Sequence, residues 1–512
     1  MRPLLRFVAA LRLHGILAVP SRTVAVMLAV ATVLALAMAA VSAINDIPER
    51  WTGPPDEYLH RAAARYYVDH WLPPKVGDPA TLDSYSRDYG FSYVNDTDLA
   101  YLFAGKFAAL IAPVVPNHDL GFRLFNVFLL GVLVAFCYRR PSAYLIFLPL
   151  VLSPQIWYIF SYFNGDAFAL FLAILLAYQV GEPGSLFNRY MDSPSVFRNL
   201  SGAVLLALLV ALLALSKKNY LSFLAFVPVA VVLARLGRVS ALLVAAAAIG
   251  VAAAYLNWFE FPAAQSWLAA AGGAAVVLGA ILARPSTRGA RATALAKGAF
   301  VCALAAALFA PRVWWDVALH GSLEQKRVAI VQAQEELAQP VYKPSRVYSE
   351  KRDGYYGMEL RARGVALREL FAPTWKWHTR TFVSATGQYG WLEYSARKPY
   401  YYVMMAAGYL ALLAVYAWAV ARSRDVATGL SFFFVSAFAA LTLAVAIHHS
   451  WVNDFQAQGR YLFPIVAMLG FGLHAARSTL EPRAVIGITA CCFALSVWSF
   501  VYIGLWQIPK SY

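Results

Sequence analysis

The chain has 512 residues, 61% of them hydrophobic and 14% charged, with a net charge of +16. Ordinary soluble domains are nearer half apolar and a quarter charged, so this composition excludes a large soluble protein. The apolar residues fall in blocks of about 16–22, long enough to cross a bilayer core, and an all-α integral membrane fold is expected.

Thirteen spans are predicted, at roughly 24–45, 121–137, 142–157, 165–181, 200–216, 220–236, 239–256, 263–283, 296–311, 399–421, 428–447, 461–476 and 484–506. The first reads as a retained helix. It is too long for a cleaved leader, and Ala37-Met38-Ala39 is not followed by a soluble mature domain. A long loop, 46–120, comes next. Its segment WTGPPDEYLHRAAARYYVDHW, residues 51–71, reads as a helix over 54–70. Pro54 and Pro55 suit a first helical turn, and Asp56 and Glu57 sit where the helix dipole favours negative charge. Tyr58, Leu59, Ala62, Tyr66 and Trp71 are expected to lie on the membrane as an aromatic-rich face. At four-residue spacing Asp56 shares a helix face with His60, and Glu57 with Arg61.

Two readings of Asp56-Glu57 stay open on residues alone. One is an ordinary helix start. The other is a catalytic pair, because a helix N-terminus keeps a carboxylate ionised and able to take a proton from a hydroxyl. His60 reads as an orienting or surface residue rather than a metal ligand. The stretch 98–115, DLAYLFAGKFAALIAPVV, is apolar but carries Lys106 and ends near Pro113 and Pro116. A helix dipping into the outer leaflet is expected there, because a true span would invert every later loop and break the charge pattern.

Further along, Asp166 lies at the mouth of the fourth span in SYFNGDAFALF. An acid at the edge of an apolar run is costly unless hydrated or paired, which marks either a helix cap or a functional group. Lys217 and Lys218 form the hairpin between the fifth and sixth spans, on the side where cations are disfavoured. They suit a lipid phosphate or snorkelling to headgroups. A second long loop, 312–398, carries Arg312, Lys376, Arg380 and the aromatic TGQYGWLEY with Trp391, a candidate surface for a sugar or a lipid phosphate. Between the eleventh and twelfth spans, HHSWVNDFQAQGRYLFP places Gln458, Arg460 and Tyr461 at the bundle mouth.

The basic excess has a location. Loops assigned to one side, including Arg2, Arg6, Arg12, Arg139, Arg140, Arg284, Lys297 and Arg424, hold eighteen Lys and Arg against four acids. This positive-inside pattern places the N-terminus in the cytoplasm and, with thirteen spans, the C-terminus outside; it argues against nucleic acid as the partner. Cys137, Cys302, Cys491 and Cys492 fall in or at the ends of spans, so neither a disulfide framework nor a Cys/His metal spacing is expected. His448-His449 likewise lack metal-site spacing. No internal repeat is visible, and the chain reads as a single domain over 1–512 with two outside elaborations.

PPDE-x-x-H at 54–60, NGDA at 164–167, GWLEY at 390–394 and QGRYLFP at 458–464 together resemble a bacterial membrane-protein family grouped with the GT-C glycosyltransferases. The resemblance covers about 24–480 and extends to GT-C enzymes generally, among them protein O-mannosyltransferases, oligosaccharyltransferases and the lipid A aminoarabinose transferase. It implies a GT-C bundle in the inner membrane. It also implies inverting transfer from a polyprenyl-phosphate sugar to an envelope glycan or lipid-linked acceptor on the periplasmic side. By that pattern Asp56 is the general base, Glu57 its tuning neighbour and Asp166 the second acid. Lys217, Lys218 and Arg460 hold the lipid phosphate with Arg312 and Arg380, while His60, Gln458, Tyr461 and Trp391 orient the acceptor. No metal is required by the residues, although some GT-C enzymes use a divalent cation. Tyr58 departs from the pattern, standing where many relatives have Pro directly after the acid pair. A flippase for lipid-linked sugars is the rival from another class, and a non-catalytic GT-C-fold assembly subunit is a third reading.

Overall fold

The computed structural model describes residues 19–44, 54–255, 288–422 and 426–507. The predicted span 263–283 and the cations Arg2, Arg6, Arg12, Arg284 and Arg424 lie outside the described residues. What is described is helical apart from one two-residue hairpin ladder, Gln388–Tyr389 against Tyr394–Ser395.

Among the described residues, eight helices are long and apolar enough to cross a membrane, or nine if one bent pair counts as a span. The chain is therefore a multi-pass membrane protein. Two predicted spans come out short. Leu200–Ala214 has 15 residues and Pro464–Ala475 only 12. At 1.5 Å per residue the last reaches about 18 Å, well under the hydrocarbon thickness. Eight of its twelve residues are buried, so protein rather than lipid surrounds most of it.

The predicted straight span 142–157 is instead a broken one. Pro141–Val151 and Pro154–Ser161 meet at 89°. Ser153 makes the corner: its hydroxyl accepts the Gln155 N–H, and Pro154 takes the first helical position, where its missing N–H costs nothing. The corner brings Tyr162 and Phe163 back under the first long loop. Asn126, fully buried on helix His118–Arg139, ties this return down by donating to the Tyr162 carbonyl at 2.8 Å.

Residues 98–115 hold a 12-residue helix, Ala100–Ile111, about 18 Å long and too short to cross. It packs along helix Glu57–Asp69. Gly105 makes the approach possible, since a Cβ there would stand 2.7 Å from the Ala64 carbonyl oxygen. The buried face of the 57–69 helix holds Leu59, Ala63, Ala64 and Tyr67; of the residues expected to lie on the membrane only Leu59 is on it, while Tyr58, Ala62 and Tyr66 are partly exposed. Trp71 is exposed, with the Lys106 ammonium over its ring at 4.3 Å.

The ninth predicted span continues past its expected end. Helix Arg288–His320 has 33 residues, about 50 Å, and carries Arg312 on its last turns. Lys297, expected in a loop, is buried on this helix and donates to the Tyr190 and Met191 carbonyls. The second long loop begins beyond His320 and folds onto the first. Gln339 bonds Asp88 through both backbone and side chain, and the Val76 N–H reaches His320 Nε2 at 3.1 Å. Residues 357–361 then pair with 451–455 through three backbone hydrogen bonds. These segments form one cap over one end of the bundle. Arg139 and Arg140 are exposed at the opposite end.

Candidate functional site

Under the cap, five chain segments deliver charged side chains to one place. The first is the start of helix Glu57–Asp69. Asp56 is its N-cap residue, but its side chain makes no capping bond, and its backbone sits at φ 58°, in the left-handed region. A non-glycine residue there is strained and needs its surroundings to hold it. The helix starts three residues later than predicted, and the freed Asp56 carboxylate faces Arg460, 3.3 Å from Nη2. It keeps 27% of its side chain exposed, so a ligand can reach it.

Glu57 behaves oppositely. It is 2% exposed and accepts a two-point bond from Arg123, both at 2.8 Å, plus the Phe163 N–H at 2.9 Å. Burial alone would raise its pKa. The Arg123 charge and hydrogen bond, Arg61 and the Phe163 N–H outweigh that and hold it below the ordinary glutamate value. Adjacent in sequence, the two acids have separate jobs: Glu57 bolts the helix to the bundle and Asp56 faces the site. Arg61 pairs with Asp119 at 3.2 Å.

Helix Gly165–Gly181 supplies Asp166. Asn164 is the cap, accepting the Asp166 and Ala167 N–H groups, so Asp166 is free of that duty. Its Oδ2 lies 3.8 Å from Arg460 Nη1, and its Oδ1 is buried without a hydrogen-bond partner. Arg460 is thus shared by Asp56 and Asp166, and its Nε and Nη1 are buried with no hydrogen bond. It is delivered by a short turn, Gly459–Leu462, that docks on helix Trp377–Gly387: the Gly459 N–H donates to Ser384 Oγ at 2.8 Å. Only glycine fits there, as a Cβ would lie 2.4 Å from the Ala385 backbone.

The two lysines part company. Lys217 turns into the cluster, its ammonium 5.2 Å from the Tyr93 ring centre. Burial lowers its pKa, but Asp166 and Asp98 more than restore it and keep the ammonium charged. Lys218 is exposed. The His60 ring stacks on Tyr93 at 4.1 Å, and its Nδ1 is 2.9 Å from the Tyr101 hydroxyl. Burial, Lys217 and Arg460 hold its pKa well below the usual value, so the ring is neutral and serves as the backing of Tyr93.

Asp98 went unnoticed in the sequence. It is 7% exposed; its Oδ1 accepts the Ala100 N–H and its Oδ2 is buried without a partner. Burial raises its pKa to about 7 against the opposing pull of Lys217 and the Ala100 N–H. Gly165 is the reason these groups meet: a Cβ there would sit 2.3 Å from Asp98 Oδ2 and 2.8 Å from Lys217 Cε. The available signal was an acid, in NDTD, directly before an apolar run.

The remaining predicted residues are peripheral or supporting. Tyr461 and Gln458 flank Arg460; the Tyr461 hydroxyl donates to Gln456, and the Arg460 guanidinium lies 5.4 Å from the Tyr461 ring. Arg312 pairs with Asp316 and bonds the Asp96 carbonyl at 3.0 Å, clamping the end of helix Arg288–His320 to the first loop. Arg380 is exposed over Phe455. Trp391 sits in the turn of the small hairpin, next to Gly390, whose N–H bonds Tyr158. Among the described residues, no group of three or more His, Cys, Asp or Glu side chains is arranged to hold a metal ion. The positive charge of the cluster comes from Lys217 and Arg460. No family model, no curated protein and no solved structure matches the chain.

Proposed function

We propose that the protein is a GT-C-type membrane glycosyltransferase, moving a sugar from a polyprenyl-phosphate carrier to an envelope glycan or lipid-linked acceptor at the periplasmic face of the bacterial inner membrane. One observation carries this reading. Asp56 is a partly exposed carboxylate released from capping, and it touches an arginine that still has two nitrogens without hydrogen bonds. A base and an anion-binding cation thus stand side by side at the edge of an apolar bundle.

The donor phosphate takes the spare donors of Arg460 and the charge of Lys217, which loosens the hold of Arg460 on Asp56. The acceptor hydroxyl oxygen then bonds to the anomeric carbon from the face opposite the phosphate. Asp56 takes its proton. The bond from the anomeric carbon to the phosphate oxygen breaks, and its electron pair leaves on polyprenyl phosphate, inverting the anomeric centre. Lys217 and Arg460 stabilise charge that grows on the phosphate where water is scarce, which is where fixed cations help most. Asp166 keeps Arg460 in place, and Glu57 holds the helix that presents Asp56.

The test is purified protein in bilayers with a radiolabelled polyprenyl-phosphate sugar and an envelope glycan extract. Asp56→Asn is expected to insert normally and to lose about 10²- to 10⁴-fold in transfer. Near-normal transfer by that variant removes Asp56 as the base. Movement of the donor across the bilayer without any transfer establishes the flippase instead.

A further inference from the structure

We infer that Asp98 is a charge filter at the phosphate end of the site. It admits a singly charged phosphodiester and disfavours a phosphomonoester or pyrophosphate of higher charge, so it sets donor specificity and favours release of the spent carrier. The inference rests on the glycosyltransferase reading above and deepens it. Asp98 and the Lys217 side chain meet at one point. A Cβ on Gly165 would stand 2.3 Å from Asp98 Oδ2 and 2.8 Å from Lys217 Cε, so both crowd the same position. The backbone fixes this meeting, since the Leu99 N–H donates to the Leu215 carbonyl at 3.2 Å and joins the segments that carry the two side chains. The ammonium proposed to hold the phosphate thus stands beside a buried carboxylate.

That placement costs the fold. Asp98 Oδ1 accepts the Ala100 N–H, but Oδ2 is buried with no hydrogen-bond partner. An unmet buried oxygen is rare in a folded protein and calls for a reason. The balance of facing charges supplies one. Arg460 and Lys217 are the cations. Asp56 at 3.3 Å and Asp166 at 3.8 Å already face Arg460, and Asp98 beside Lys217 is the third acid. Two cations among three acids leave nothing to neutralise a second negative charge on the ligand. Breaking the glycosyl bond creates that charge. The donor is a phosphodiester with one charge, whereas the carrier left behind is a phosphomonoester whose second ionisation falls at about pH 6. In a buried site the added charge is repelled by Asp98 with little screening. A pyrophosphate-linked donor would meet the same repulsion on arrival.

The experiment uses bilayer-reconstituted protein at pH 8 without acceptor. It measures binding of polyprenyl phosphate, its methyl diester and polyprenyl pyrophosphate. The wild type is expected to bind the diester about 10-fold more tightly than the other two. Asp98→Asn keeps an acceptor for the Ala100 N–H and should close that gap by tightening the monoester and the pyrophosphate. Lys217→Met should weaken all three. The same monoester-to-diester ratio in wild type and Asp98→Asn overturns the filter, and so does full affinity in Lys217→Met, which would separate Asp98 from the phosphate. No binding of any of the three lipids by the wild type overturns the filter and the donor site together. Transfer from a labelled donor, read on the same preparation, judges the glycosyltransferase assignment separately: an active enzyme with an unchanged ratio loses only the filter.

Discussion

Two neighbouring acids in PPDE divide the work because only one of them can be buried. Glu57 has the longer reach and meets Arg123 two-point, 2% and 3% exposed on the two sides. Removing one partner of such a pair strands the other charge, which typically costs about 3–5 kcal/mol. Glu57→Gln is therefore expected to lower thermal stability in detergent by an amount of that order, whereas Asp56→Asn leaves it near wild type. A fluorescence melting scan of both variants checks the contrast. Asp98 makes a pH-dependent prediction. Its carboxyl is raised from an ordinary 3.8 to about 7 in the fold. Below pH 4 it is protonated both folded and unfolded and contributes nothing. Between those values only the unfolded chain ionises, so stability falls as pH rises, and the full cost is present above pH 7. Asp98→Asn should therefore raise the melting temperature at pH 8 more than at pH 5. The groups facing it are Lys217, Asp166, Asp96 and the Ala100 N–H, and an equal shift at both pH values would show that its charge is not the cause.

Among the elements, two glycines do different things with the same lack of a Cβ. At Gly165 the atoms in the way are the tips of two flexible side chains, Asp98 Oδ2 and Lys217 Cε. Gly165→Ala is expected to fold normally and to lose activity, because the cluster alone is pushed apart. At Gly459 the obstacle is the Ala385 backbone. Gly459→Ala must shift a whole helix, Trp377–Gly387, so it should lose both stability and activity. Measuring melting temperature and transfer together separates the two cases; a Gly165→Ala protein as unstable as Gly459→Ala contradicts the assignment. The corner at Ser153-Pro154 works at the same scale. Its sequence reads as an apolar run of spanning length, and a period count does not see the turn. The serine cap and the proline that make it were nonetheless present in the chain.

For the whole molecule, the cap and the basic end define two sides. A cysteine placed at Tyr356 in a cysteine-free background should label with a membrane-impermeant maleimide from the periplasm. One at Arg140 should label only after permeabilisation, and the reverse pattern would invert the proposed orientation. By itself the sequence determined that the chain is helical and membrane-embedded, since the cost of unpaired backbone in lipid leaves apolar blocks of this length little alternative but helix. It also picked out Asp56, Asp166, Lys217 and Arg460, because charges at the edges of apolar runs are expensive enough to stand out. Which charges meet was decided by the tertiary structure alone. Asp56 and Arg460 are 404 positions apart and Lys217 lies far from both. Their contact depends on a broken span, a glycine at 165 and a docked turn at 459. Lys218, equally conspicuous in sequence, points away, and Asp98, inconspicuous, points in. A side chain's direction is set by the turn that carries it and by the neighbours it packs against, and those come from distant segments that no local pattern reveals.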